Sequence, residues 1–168
     1  AICRLKRVAA DNKGDVSAYM PIVPKDKNGK KIALIGAGPA SLAVARDLLP
    51  LGYEVHLFEK EEKGGGFMRS QIPAFRLPVE VLEEEVDRIL DMGVICHFGT
   101  EITSMRDLLD QNFDAYFVGT GAPRGRDLEL PGREEVDDYI HIGIDWLSSV
   151  AFGHVTNIQG KVIVMGGG

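Results

Sequence analysis

The chain has 168 residues, 45% of them hydrophobic, and 19 basic against 25 acidic side chains give a net charge of −6. This suffices for one sizeable core, no apolar run approaches the roughly 20 residues of a membrane helix, and the acidic balance excludes an evident nucleic-acid surface. Its two cysteines, Cys3 and Cys96, lie far apart without a C-x-x-C, which argues against a disulfide framework or a self-contained metal site.

In chain order, Ala1 to Asn12 predicts a short basic helix, and Lys13 to Lys30, with two prolines and two glycines, a surface linker. Ile32 to Ile35 is a short apolar strand that runs into Gly36, Gly38 and Ser41 at G-x-G-x-x-G spacing. A helix over Ala40 to Leu49 follows. Gly36 permits the tight turn, Gly38 lets backbone N–H groups, including those about Ala37 and Ala40, approach a pyrophosphate, and Pro39 suits the first helical turn. The helix start itself favours an anion. Ser41 occupies the place of the third glycine and is small enough to pack.

A second strand runs from Tyr53 and is closed by Glu59, 23 residues after Gly36, near the roughly 20-residue offset at which an acid meets a ribose hydroxyl. A carboxylate there suits FAD or NAD and repels the 2′-phosphate of NADP. Taken alone, Glu59 is equally a solvated strand-end acid and the glycines a plain turn; the two strands, the helix and the acid together favour nucleotide binding.

Lys60 to Leu77 reads as a loop held extended by Pro73 and Pro78, long enough to expect a function. Pro78 to Met92 carries Val79, Leu82, Val86, Ile89 and Leu90 on one helical face, with acids opposite. A third strand (Val94 to Phe98), a short helix (about Ser104 to Gln111) and a fourth strand (Ala115 to Val118) follow. Pro123 to Val136 reads as a polar loop, and Tyr139 to Phe152 as a short strand feeding a helix. Lys161 to Gly168, KVIVMGGG, repeats the opening of the first glycine motif: the start of a second dinucleotide domain, or a terminal strand with a flexible tail. The order predicts an α/β, Rossmann-like, mostly parallel sheet with crossover helices, incomplete and preceded by a short helix and linker.

The strings GAGPAS (Gly36 to Ser41), FEK (Phe58 to Lys60), GG (Gly65 and Gly66), IPAFRLP (Ile72 to Pro78) and GTGAP (Gly119 to Pro123) resemble the FAD-binding half of the glutamate synthase small-subunit family. That family also includes the flavin domain of dihydropyrimidine dehydrogenase. The resemblance covers about residues 31 to 168, and IP-x-FRLP is its most specific part. Family members more often carry Gly where Ser41 and Gln71 stand. The resemblance implies FAD contacts from Gly36, Ala37, Gly38, Pro39, Ala40 and Ser41, from Glu59 and Lys60, from Gly65, Gly66 and Phe67, and from Arg76. Arg76 offers donors to phosphate or flavin carbonyls, or else a salt bridge to the next helix. Ile102, after the third strand, and Thr120 and Gly121, after the fourth, are further candidates, each equally an ordinary strand-end turn.

The resemblance also implies an organisation: residues 1–30 as helix and linker closing a preceding iron-sulfur domain, 31–160 as the amino-terminal part of an FAD domain, and 161–168 opening an NAD(P)H domain. LKRVAAD, Leu5 to Asp11, is similar to the end of such an iron-sulfur domain. Cys3 is then a remnant of it or an ordinary helical cysteine, since one thiolate cannot hold a cluster. Cys96 reads as a small core residue. His56, His97, His141 and His154 share no spacing, no nucleophile–base–acid set stands out, and no catalytic side chain or metal ligand is assigned.

The implied activity is that of an NAD(P)H-dependent flavoprotein oxidoreductase subunit, in which electrons pass from nicotinamide through FAD to iron-sulfur centres or a partner subunit of an electron-transfer complex. The alternatives are a direct NAD-dependent dehydrogenase and a cofactor-free structural module. With no charged, apolar leader in view, and a start at Ala1 that points to a piece of a longer chain, a cytoplasmic origin is expected.

Overall fold

The computed structural model describes residues 1–127, 129 and 131–166. Its centre is a four-stranded parallel sheet in the order β3-β2-β1-β4, with β1 Lys31–Ile35, β2 Glu54–Phe58, β3 Ile95–His97 and β4 Ala115–Val118. β1 is almost wholly buried, which is why it reads as a continuous apolar run instead of an alternating one. Its register places Ile32 beside Val55 and Ala115, and Ile35 beside Phe58 and Val118. The expected fold class is correct.

Two helices cover one face. α2 (Pro39–Leu48) and α4 (Val79–Leu90) press Leu42, Ala45, Leu82 and Val86 onto Ile32, Leu34, Val55 and Leu57. α5 (Met105–Leu109), capped by Ser104 Oγ accepting from Asp107 N–H at 3.3 Å, covers the other face through Leu108 against Ala33, Ile35 and Phe58. Right-handed crossovers require this change of face, because the chain leaves β3 and returns on the far side of β1. The carboxyl ends of β1 and β4 therefore flank the point where strand order reverses.

Ahead of the sheet, α1 (Ile2–Asp11) buries none of its residues. The linker after it is anchored: Lys13 Nζ pairs with Glu84 at 3.0 Å and with Glu85, and Asn28 N–H donates to Gly52 O at 2.9 Å. Acids on the outer face of α4 thus hold the chain's beginning to the body.

Three local expectations are corrected. The loop from Lys60 to Leu77 is not extended throughout: α3 (Phe67–Ser70) interrupts it, and the amides of Arg76 and Leu77 turn back onto Pro73 O at 2.8 and 3.1 Å. No strand forms at Tyr139. Glu134–Tyr139 is a 3-10 segment, steadied by Arg133 pairing with Asp137, and the next helix, α6 (Gly143–Ala151), begins four residues later. Residues 161–166 carry no strand either; Ile163 and Val164 are 87% and 83% exposed, having no ladder among the described residues to join. Gly167 and Gly168 of that glycine run lie outside the described residues.

Parallel pairing also joins two histidines that no spacing connects. The β2–β3 register sets His56 beside Ile95 and Phe58 beside His97. His56 Nδ1 then lies 3.0 Å from His97 Nε2, and His56 Nε2 lies 2.9 Å from Glu54 Oε1. Phe58 stacks on His97 at 4.4 Å between ring centroids. Burial, and secondarily the charge of His56, push His97 below its ordinary value of 6.5. A histidine so depressed binds its proton more readily in the unfolded chain, so stability falls as pH drops below about 6.5 and levels off once the folded-state value is passed. Replacing His97 with Phe should flatten that part of the stability profile, as followed by urea midpoints between pH 8 and 5.

Candidate functional site

The reversal of strand order produces a cavity of about 550 Å³ at the carboxyl ends of β1, β2 and β4, bounded on its outer side by α3 and α6. This size falls within the range of small-molecule sites, and its position is where open α/β sheets bind ligands.

Its floor is backbone. Gly36 N–H donates to Phe58 O, and Gly119 N–H to Ile35 O, both at 2.8 Å, so the strand ladder runs up to the turn. The peptide of Ala37 is then fixed on both sides: its N–H donates to Glu59 Oε2 at 2.7 Å, and its carbonyl accepts from Gly65 N–H at 2.8 Å. Glu59 is 8% exposed, and its other oxygen accepts from Glu61 N–H at 3.1 Å. The acid is therefore a buried fixture joining β2 to the glycine turn, not a solvated strand-end group. Each carboxylate oxygen keeps a lone pair for a further donor.

Three chain segments pass so closely here that side chains are excluded. A Cβ on Gly36, whose φ is +89°, would lie 2.8 Å from Gly119 O; one on Gly66, at φ +51°, would lie 2.8 Å from Gly38 Cα. On Gly119 it would meet Ser41 Oγ at 2.3 Å. Ser41 is fully buried, and the third position of the turn tolerates a serine because the residue that follows β4, Gly119, has no side chain. Gly38 is the N-cap of α2, and the first closed bond, Leu42 N–H to Gly38 O at 3.1 Å, leaves the amides of Ala40 and Ser41 beyond the reach of the helix's own carbonyls.

Ten of the sequence-derived positions line the cavity: Gly36, Gly38, Pro39, Ala40, Glu59, Lys60, Gly66, Phe67, Thr120 and Gly121. Ala37, Ser41 and Gly65 lie directly behind it, buried. Two positions are elsewhere. Arg76 is exposed and makes neither the cavity contact nor an ion pair with α4, and Ile102 packs with Leu108 on the opposite face of the sheet.

The arginine that does line the cavity is Arg69, whose guanidinium turns to the body of the protein: Nε donates to Gly64 O at 2.8 Å and Nη1 lies 3.6 Å from Glu83. Lys63 also binds Glu83, at 2.6 Å, and that bond first, then Arg69, holds the Glu83 carboxyl below its ordinary value. Sequence reasoning passed over Arg69, and likewise Ile144, Asp145, Ser148 and Phe152, and marked Gln71 only as a departure from the family's usual glycine. The glycine pair just before Arg69 was the available signal for it; nothing in the sequence ties α6, over 70 residues downstream, to this place. Among the described residues no cluster of His, Cys, Asp and Glu suits a metal ion, and no helix is long and apolar enough to cross a membrane.

The contact between Ser41 and Gly119 is testable. Gly119→Ala should destabilise the fold by ~1–3 kcal/mol, as overpacking does. Adding Ser41→Gly should recover part of that loss, a non-additivity that denaturant titration of the four variants would read.

A family model described as pyridine nucleotide-disulphide oxidoreductase matches residues 30–168. The chain is 37% identical over 169 residues to the NADPH-Fe(3+) oxidoreductase subunit beta of Geobacter sulfurreducens, covering 98% of this chain and 25% of that protein. It is 31% identical over 182 residues to the glutamate synthase [NADPH] small chain of Bacillus subtilis, covering all of this chain and 36% of that one. It thus spans about a quarter to a third of these curated relatives. In fold it resembles Mycobacterium tuberculosis FprA, solved in complex with NADPH, with a TM-score of 0.62 at 18% identity over 71% of this chain and 28% of that one.

Proposed function

Because this chain belongs to the pyridine nucleotide-disulphide oxidoreductase family, we propose that it forms the FAD-binding part of an NAD(P)H-dependent flavoprotein oxidoreductase subunit. In this reading electrons pass from nicotinamide through FAD to iron-sulfur centres or a partner subunit. Residues 31–160 supply the FAD site, 1–30 connect it to a preceding iron-sulfur domain, and 161–168 open the NAD(P)H domain. The related Geobacter protein is named for NADPH and Fe(3+), and the related Bacillus protein as the small chain of an NADPH-dependent glutamate synthase.

The observation that carries the proposal is the convergence of the glycine turn, Glu59 and the Gly66–Phe67 segment on one cavity at the sheet's switch point. The residues fit the cofactor. Gly36, Gly38, Gly66 and Gly119 project no side chains of their own here, which would let a diphosphate approach main-chain amides at the start of α2. Glu59, held by two amides, keeps acceptor capacity for the hydroxyls of the adenosine sugar, and Phe67, 42% exposed at the cavity wall, offers an aromatic face. When bound, FAD would supply the redox chemistry, that of a carrier able to accept a two-electron hydride and to give up electrons one at a time. The chain's own residues bind, orient and shield.

Gly38 separates binding from folding. Its φ of −76° suits any residue, and an added Cβ would meet nothing nearer than Gly119 O at 3.9 Å, yet the position faces the cavity. Gly38→Ala in the intact protein should leave the thermal midpoint within a few degrees and weaken FAD binding by at least about tenfold, ~1.4 kcal/mol. Flavin absorbance retained through gel filtration gives the measurement. A colourless parent protein, or undiminished flavin in the variant, would count against the reading.

A further inference from the structure

Among the described residues two buried side-chain oxygens lack a hydrogen-bond partner, Ser41 Oγ, wedged against Gly119 behind the cavity, and Gln71 Oε1, on a residue of the cavity wall. Gln71 closes α3, and its Nε2 donates to Ile144 O of α6 at 2.9 Å and, more weakly, to Ser70 Oγ at 3.4 Å. A carbonyl only accepts, so the amide's orientation is fixed: exchanging its ends would set Oε1 against Ile144 O. Oε1 is thereby pinned, shielded from solvent and without a hydrogen-bond donor among the described residues. Both Gln71 and Ile144 line the cavity. Leaving such an oxygen unsatisfied costs about 1–3 kcal/mol, which a ligand carrying a suitably placed N–H would remove.

The layout indicates which part of the ligand that is. With the adenosine sugar at Glu59 and the diphosphate at the first turn of α2, the remaining space lies toward α3 and α6, where the ring system must go. Oxidised isoalloxazine has a single ring N–H, between two carbonyls on its pyrimidine edge. We infer that Gln71 is a recognition residue for that edge: its Oε1 accepts the ring N–H, while its amide nitrogen holds the edge-binding segment against α6. The inference rests on the flavin reading above and adds to it a specific acceptor, on a residue that differs from the glycine more usual at this place.

The test uses the intact holoprotein and two ligands, FAD and FAD methylated at the pyrimidine-edge nitrogen. The unmodified protein should bind FAD at least about tenfold tighter than the methylated form, and Gln71→Leu should lose about tenfold for FAD, the loss of one buried hydrogen bond. With ¹⁵N-labelled flavin, the ring N–H proton resonance should move upfield in Gln71→Leu, a change that a purely structural role for Gln71 does not produce. Equal affinity for the two flavins, or an unmoved resonance, overturns the inference and leaves flavin binding standing. If the unmodified protein takes up neither flavin, the inference and the reading beneath it fail together. Should Gln71→Leu not fold, the two-ligand comparison on the unmodified protein still decides.

Discussion

The close passage of three backbone segments over one point is the constraint from which the site follows. The segments bearing Gly36, Gly66 and Gly119 approach until Cβ atoms on these three glycines no longer fit. The two bonds of the Ala37 peptide, to the Glu59 carboxylate and to Gly65, hold that approach in place. Without it the turn after β1 would lack its outer wall, and the amides at the start of α2 would face open solvent instead of a cavity. A buried carboxylate satisfied by main-chain donors is a stable arrangement in itself, so the acid has a structural duty alongside the ligand contact proposed for it.

The two faces of the sheet divide the labour. α2 and α4 supply the dense aliphatic core on one side. The other side is thinner and more aromatic, with Phe58, Phe113 and Tyr116 packed about the His56–His97 pair. Glu54 closes that array at one end, its carboxyl held below the ordinary value first by His56 and then by Lys31. The aliphatic core and the aromatic face are thus built from different residues on the two sides of the same strands.

Much of this was legible in the sequence because its signals are local. The apolar run of β1, the turn glycines, the amphipathic face of α4 and the strand Ala115–Val118 each lie within a dozen residues. The resemblance to the glutamate synthase small-subunit family added the Gly65–Phe67 segment, of which Gly66 and Phe67 line the cavity and Gly65 lies immediately behind it. What stayed hidden depends on crossovers. The meeting of His56 with His97 is set by strand register, the contribution of α6 by the return path of the chain, and the exchange of Arg76 for Arg69 by the turn at Pro73, which leaves the later arginine outside. The strand expected near Tyr139 failed because apolar residues there have no ladder to join among the described residues.

α1 offers a last consequence. Ten residues long and with nothing buried, it presents Ile2, Leu5 and Val8 to solvent at 70%, 67% and 58% exposure. A helix of that length gains little from its own hydrogen bonds and, within this chain, shares none of the packing that makes the sheet cooperative. Its amides would exchange with solvent through local fraying, while those of β1 wait for the whole sheet to open. The tether from Lys13 to α4 marks the border between these two regimes, so the helix can bend, unwind or be re-seated without that motion being transmitted to the glycine crossing.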